Sequence, residues 1–419
     1  MEILHLIDTM AENGHAPDEG CGLFGIGNDD AIRRIRETYL IRRFLRGGSA
    51  EKFVVGPYGS GKTHFINQLL EAARGESCVT AKVNLTKSVD VTSNYMIYRE
   101  FIRNLRTPES TPESEGEMKS LLIACMEKVK NDILRNGQTE KDANEYLRFW
   151  ISGLENYHFE LEIFGRVVKQ AFDAYQKRND EKFEFAYRWL SGEFDNKEIN
   201  KMLNVSRISK SEQNIISKRS GLSLYQLIKR AGFTGTVVAF DEAEQGFSIS
   251  SQKKSQLLSL LQSDINSINE LHNGSALVLY AITPDISEEM MEFAALQQRV
   301  QDPFRGTSFW DGNTRAPLIY LTRRDGITRS EVADELTEIG RKLVELLYSK
   351  VGSEITVPRE EVIEKIKSFA IAISNEDLSP SNRRKMVKGT CIMLIRLYED
   401  GELVEPALGD DEDFEEDEA

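Results

Sequence analysis

The chain has 419 residues, 40% of them apolar and 29% charged, with a net charge of −15. That length exceeds one ordinary core, so two or three domains or subdomains are expected. It contains no apolar run long enough to span a bilayer, and its acidic N-terminus has no basic leader region, so a soluble cytoplasmic protein is expected. The charge is unevenly placed. Glu402 to Ala419 carries ten acidic residues and no basic one, which leaves the remainder near −5. A local basic face for nucleic acid is therefore not excluded. Cys21, Cys78, Cys125 and Cys391 show no metal-ligand spacing and read as free thiols.

In chain order, Ile32, Ile35, Tyr39, Ile41 and Phe44 recur at helical spacing and predict a helix over about 30–45, ended by Gly47-Gly48. Phe53-Val54-Val55 reads as a short buried strand. A glycine-rich turn follows, then a helix with the stripe Phe65, Ile66, Leu69, Leu70 and Ala73. Residues 78–85 form the next strand. From about 86 to 231 the pattern is helical, broken by a polar loop at 107–116, and its aromatics, including Trp150 and Trp189, read as core. Continuous apolar runs at 236–240, 276–282 and 316–321 predict strands covered on both faces. Thr328 and Glu331 have capping-box spacing for a helix to about Val351, and Ser379-Pro380 carries the N-cap and N1 chemistry of a last helix to about Tyr398. The acidic tail is expected not to fold.

Residues 56–63 read GPYGSGKT, a full match to the phosphate-loop pattern, with a strand before it and a helix after it. Its glycines let the backbone approach phosphate oxygens, and exposed N–H groups with a helix N-terminus favour an anion there. Gly56, Pro57, Tyr58, Gly59, Ser60, Gly61, Lys62, Thr63 and His64 are the candidate nucleotide-binding residues. Lys62 is expected on the β- and γ-phosphates, and Thr63 on Mg²⁺. The strand at 236–240 runs into Asp241-Glu242. Asp241 is the second Mg²⁺ candidate, and Glu242 is the group expected to orient or deprotonate the attacking water. Thr283, at the end of the next strand, is a candidate for contact with the γ-phosphate or its water. Arg299 is a candidate arginine finger, in its own chain or across a subunit boundary. Arg383 and Arg384 are candidates for sensing the γ-phosphate. Arg33, Arg34, Arg36, Arg42, Arg43 and Arg46 lie on or near one helix and read either as a solvated face or as a phosphate-contact face for DNA.

Several stretches together carry a resemblance: FVVGPYGSGKTHF, the FAYRWLSGE stretch that ends at Glu193, AGFTGTVVAFDEAEQ, AITPDI and ALQQRV. The chain resembles the P-loop ATP-binding proteins of the BREX bacteriophage-resistance systems, and its length fits their short D-type rather than the longer C-type. The resemblance implies an α/β P-loop NTPase core of the ASCE, AAA+-like kind, in three layers, with a large helical insertion and a C-terminal helical or winged-helix lid. The corresponding division is 1–86 for the first half of the core, 87–231 for the insertion, 232–325 for the second half, 326–401 for the lid and 402–419 for the tail. It also implies ATP rather than GTP, other defence proteins of the same system as partners, work on or near duplex DNA, and the option of a homo-oligomer. Three functions compete on these residues: an ATPase switch or motor, a nucleotide-gated scaffold, and a phosphoryl transferase. Glutamate directly after Asp241 favours transfer to water over the last.

Overall fold

The structure is a computed structural model. It describes the chain except for residues 1–2, 15, 87–88, 112–116, 244–250, 302–307, 322–325, 377 and 408–419, together with the side chains of 13 and 251–254. The acidic tail from 408 onward and the second half of the 107–116 loop thus lie outside the described residues.

Six strands form one sheet: β1 (Ala50–Val55), β2 (Cys78–Asn84), β3 (Leu105–Arg106), β4 (Gly235–Asp241), β5 (Ala276–Ile282) and β6 (Leu318–Tyr320), in the order β3-β2-β4-β5-β1-β6. All neighbours pair in parallel except β2 with the two-residue β3. Every residue of β4 and β5 is buried, which explains why these strands read as unbroken apolar runs. β3 lies within the stretch read as helical. Two residues carry no periodicity, so no pattern could announce it.

The chain packs as two units. One comprises residues 31–55 and 72–320, the other residues 1–30, 56–71 and 321–419. The larger unit holds the sheet and the helices Asn94–Arg103, Met118–Arg135, Glu140–Ser152, Glu162–Gln176, Asp180–Leu190 and Gln213–Arg230. Its core is rich in aromatics. Trp189 is wholly buried with its ring edge-on to Phe194 at 5.0 Å, and the Tyr98 hydroxyl donates to Leu190 O. Arg188 forks onto Glu193 at 3.0 and 2.7 Å. The FAYRWLSGE stretch is therefore a packing element: its tryptophan fills the core while its arginine and glutamate close the turn behind the helix.

The predicted helix over 30–45 is present as Asp29–Ile35, continuing as a π-helical segment over Arg36–Arg43. Four of the six arginines on or near it spend their charge inside the unit. Arg33 pairs with Glu37, Arg36 with Glu76, Arg34 donates to Phe309 O and Arg43 to Ser49 O.

The smaller unit is helical around Arg329–Val351, Arg359–Glu376 and Asn382–Glu399, with Ile3–Asn13 packed against the last of these. Leu6, Ile7, Met10, Phe24, Leu336, Leu343, Phe369, Met386 and Leu394 share its core. The Thr328–Glu331 capping box forms as its spacing requires. The last helix starts later than Ser379-Pro380 suggests. Those residues make a turn, with Asn382 N–H donating to Ser379 O, and Ser381 occupies the N-cap. Among the described residues of 326–407 the elements are helices and no strand is present.

All four cysteines are free and buried, and burial pushes the Cys78 thiol up to about 12. They are inert packing residues at neutral pH. No helix among the described residues is long and apolar enough to cross a membrane.

Candidate functional site

β1 ends at Val55 and the phosphate loop begins at the next residue. Within the smaller unit, that loop is closed by its own backbone. Ser60 N–H donates to Pro57 O at 3.2 Å and Phe65 N–H to Gly61 O at 2.9 Å, which starts the helix Lys62–Gly75. Two glycines are required by geometry. Gly59 has φ +74°, and a Cβ there would stand 2.7 Å from Ser381 Cα. Gly61 has φ +90°. Lys62 is buried. Its ammonium donates to Gly56 O at 2.8 Å and Pro57 O at 3.3 Å and lies 5.2 Å from the centre of the Tyr58 ring. It is thus held in the mouth of the loop by carbonyls. The Ser60 hydroxyl is buried without a hydrogen-bond partner, as expected of a loop shaped to surround an anion.

Arg383 belongs to this loop. Its Nη1 donates to Ser60 O at 2.6 Å, and its Nε is held by Glu335. The pattern of a helix start marked Arg383 as a candidate, but sequence had no means of finding Glu335, 48 residues earlier on another helix. The contact of Ser381 with Gly59 was equally beyond it.

His64 has a different role from its neighbours. Its ring is buried edge-on to Phe24 at 5.0 Å and close to Gly25 and Gln68. Burial lowers its pKa to about 4, helped by Arg383 and Lys342 and opposed by Asp29. The side chain is therefore a neutral packing group. The fold holds it unprotonated while the unfolded chain protonates it near 6.5, so its contribution is complete above pH 6.5 and disappears as pH falls toward 4. Acid unfolding of His64→Leu should lack about 3 kcal/mol of the wild-type slope across that window, measured by denaturant titration at a series of pH values.

In the larger unit, Asp241 ends β4 and is 3% exposed. Its Oδ1 accepts the Glu242 N–H at 3.0 Å, and its carbonyl accepts Leu85 N–H at 3.0 Å. Through β5, which pairs with both β4 and β1, Asp241 lies level with Val54. The acid thus ends its strand at the same edge of the sheet from which β1 enters the phosphate loop. Glu242 is exposed and has φ +56°, a left-handed conformation that L side chains rarely adopt. Such a backbone conformation stores strain that the surroundings sustain. Sequence placed Glu242 after a strand but carried no sign of that backbone.

Thr283 directly follows β5 as the buried N-cap of Pro284–Glu292, without a side-chain capping bond. Arg299 lies on Ala294–Val300. Its Nε donates to Asn266 Oδ1 at 2.7 Å and its Nη1 to Ala295 O at 2.5 Å, so its guanidinium is anchored locally.

With this geometry established, comparison with known families decides the assignment. The profile of the BREX system ATP-binding protein BrxC/D family matches residues 2–402. The chain belongs to that family. No curated protein matches it. The family is one of ATP-binding proteins of a BREX phage-defence system, which gives this chain ATP binding and the other proteins of that system as its partners. The match covers both units.

Proposed function

We propose that this BrxC/D-family protein hydrolyses ATP as an AAA+-like switch or motor of a BREX complex that works on or near duplex DNA. The observation that carries the reading is Glu242: a strained, exposed carboxylate directly after the buried Asp241, at the end of a strand separated from β1 by one other strand. That strand order supports an ASCE-type core, in which the water-activating acid and the phosphate loop lie on non-adjacent strands. Lys62 and the loop amides bind the β- and γ-phosphates, and Arg383 braces the loop through Ser60 O. Thr63 and Asp241 would hold Mg²⁺ through their hydroxyl and carboxylate oxygens, and the ion would supply positive charge against the phosphates. Glu242 takes the proton of the attacking water or orients it, and Thr283 contacts that water or the γ-phosphate.

Arg299 favours a second reading. A finger that is already tied to Asn266 and Ala295 must be released before it serves catalysis, and a scaffold gated by bound ATP with little turnover does not need it. ATP turnover measured alone, with duplex DNA and with the other system proteins separates the two. Stimulation by DNA or partners supports the switch or motor. Absence of turnover in every mixture, with partner capture dependent on ATP, supports the scaffold. A single particle mass with and without ATP tests the homo-oligomer.

A further inference from the structure

On the face of the sheet that carries Glu51, Phe53, Val278 and Tyr280, the larger unit forms a partly open cavity of about 90 Å³. Helices Asn94–Arg103, Gln213–Arg230 and Ser251–Glu270 supply its other walls. Its lining is mostly apolar and aromatic, with the rings of Tyr98, Tyr225 and Tyr280 around a small polar end.

That polar end is not closed by hydrogen bonds. Lys218 is the cation there, and its ammonium is committed to Asp264 at 2.9 Å and to Ser263 Oγ at 2.7 Å. Glu51 is left over. Both its carboxylate oxygens are shut off from solvent and have no hydrogen-bond partner, and the buried Ser217 hydroxyl nearby has none either. Desolvation, with repulsion from Asp264, raises the Glu51 pKa well above its ordinary value, and Lys218 offsets this only in part. A buried acid without a partner is costly, and replacing it with a neutral residue usually stabilises a protein. Its presence beside a cavity therefore points to a ligand that gives the carboxyl a cationic partner and lets it ionise.

The space is several times what a single water molecule needs. A hard metal ion needs a shell of oxygens that aromatic walls do not provide. An ammonium group suits both ends, pairing with the carboxylate while its apolar body lies against the tyrosine rings. We propose that this cavity binds a small organic cation, a primary ammonium compound with a short apolar body, whose charge is held by Glu51 and whose body packs between Tyr98, Tyr225 and Tyr280.

The test is calorimetric titration and thermal unfolding of the full chain with n-butylammonium and benzylammonium chloride, using n-butanol, butyrate and KCl as controls. The expected result is saturable binding with a rise in Tm of a few degrees for the ammonium probes alone. Glu51→Gln should weaken it at least tenfold. Gly221→Leu provides a second variant. A Cβ at Gly221 meets only Tyr98 Cδ2, at 3.8 Å, so the larger side chain fills the cavity on a helix that tolerates it, and binding should vanish. Absence of any response to either ammonium up to millimolar concentration would overturn the proposal. So would an equal response to butanol or KCl, or binding unchanged in both variants.

Discussion

Replacing Lys62 by Ala is expected to lower ATP affinity on the order of a hundredfold or more, because truncating one member of a buried, hydrogen-bonded charge pair costs about 2–5 kcal/mol. The ammonium already waits inside the loop, held by Gly56 O and Pro57 O, so a phosphate oxygen has only to displace carbonyl contacts. Ala leaves the loop's N–H groups in place but removes its one long cation. The same change also removes the two ammonium–carbonyl hydrogen bonds from the free protein, each worth about 1.5–3 kcal/mol because the donor is charged. Titration of a fluorescent ATP analogue and the Tm of the nucleotide-free protein check both halves. Loss of affinity together with a Tm lower by several degrees and an intact cooperative transition is the predicted pair. Wild-type affinity in the variant would remove Lys62 from the phosphate site.

Replacing Glu242 by Gln should have the opposite signature. Gln has the same shape and meets the same φ of +56°, so the fold and the ATP affinity are kept while the base is lost. Positioned general-base catalysis contributes roughly 10²–10⁴ in rate, and kcat should fall by that factor with KM little changed. Steady-state turnover with Mg²⁺ and ATP measures it. A fall in KM-limited binding at unchanged kcat would make Glu242 a binding residue instead.

How much of this was legible in the sequence depended on how local each feature is. Continuous runs such as 236–240 and 276–282 announced β4 and β5 because burial on both faces leaves no other composition. The loop over 56–63 was legible because phosphate contact constrains consecutive residues. What stayed hidden was either very short or contributed from far along the chain. β3 is two residues long. Glu335 reaches Arg383 across 48 residues, and the buried state of His64 is set by Phe24 and Gly25, about forty residues before it. The last helix was placed too early because Ser379-Pro380 satisfies the start-signal chemistry equally well in a turn. The arginines on the helix after Asp29 read either as a solvated face or as a phosphate-contact face because sequence shows charges and not their partners. Glu76, Ser49 and Phe309, which engage three of them, lie far off in the chain or in a loop.

The most direct test of the central claim is the identity of the nucleotide left on the protein after one exposure to ATP and Mg²⁺. Wild type and Glu242→Gln are incubated, freed of unbound nucleotide, denatured and analysed by chromatography, with duplex DNA and the other system proteins present. Wild type is predicted to carry ADP, and the variant near-stoichiometric ATP. ATP left intact on the wild type, or ADP formed equally by both, would contradict hydrolysis at Glu242.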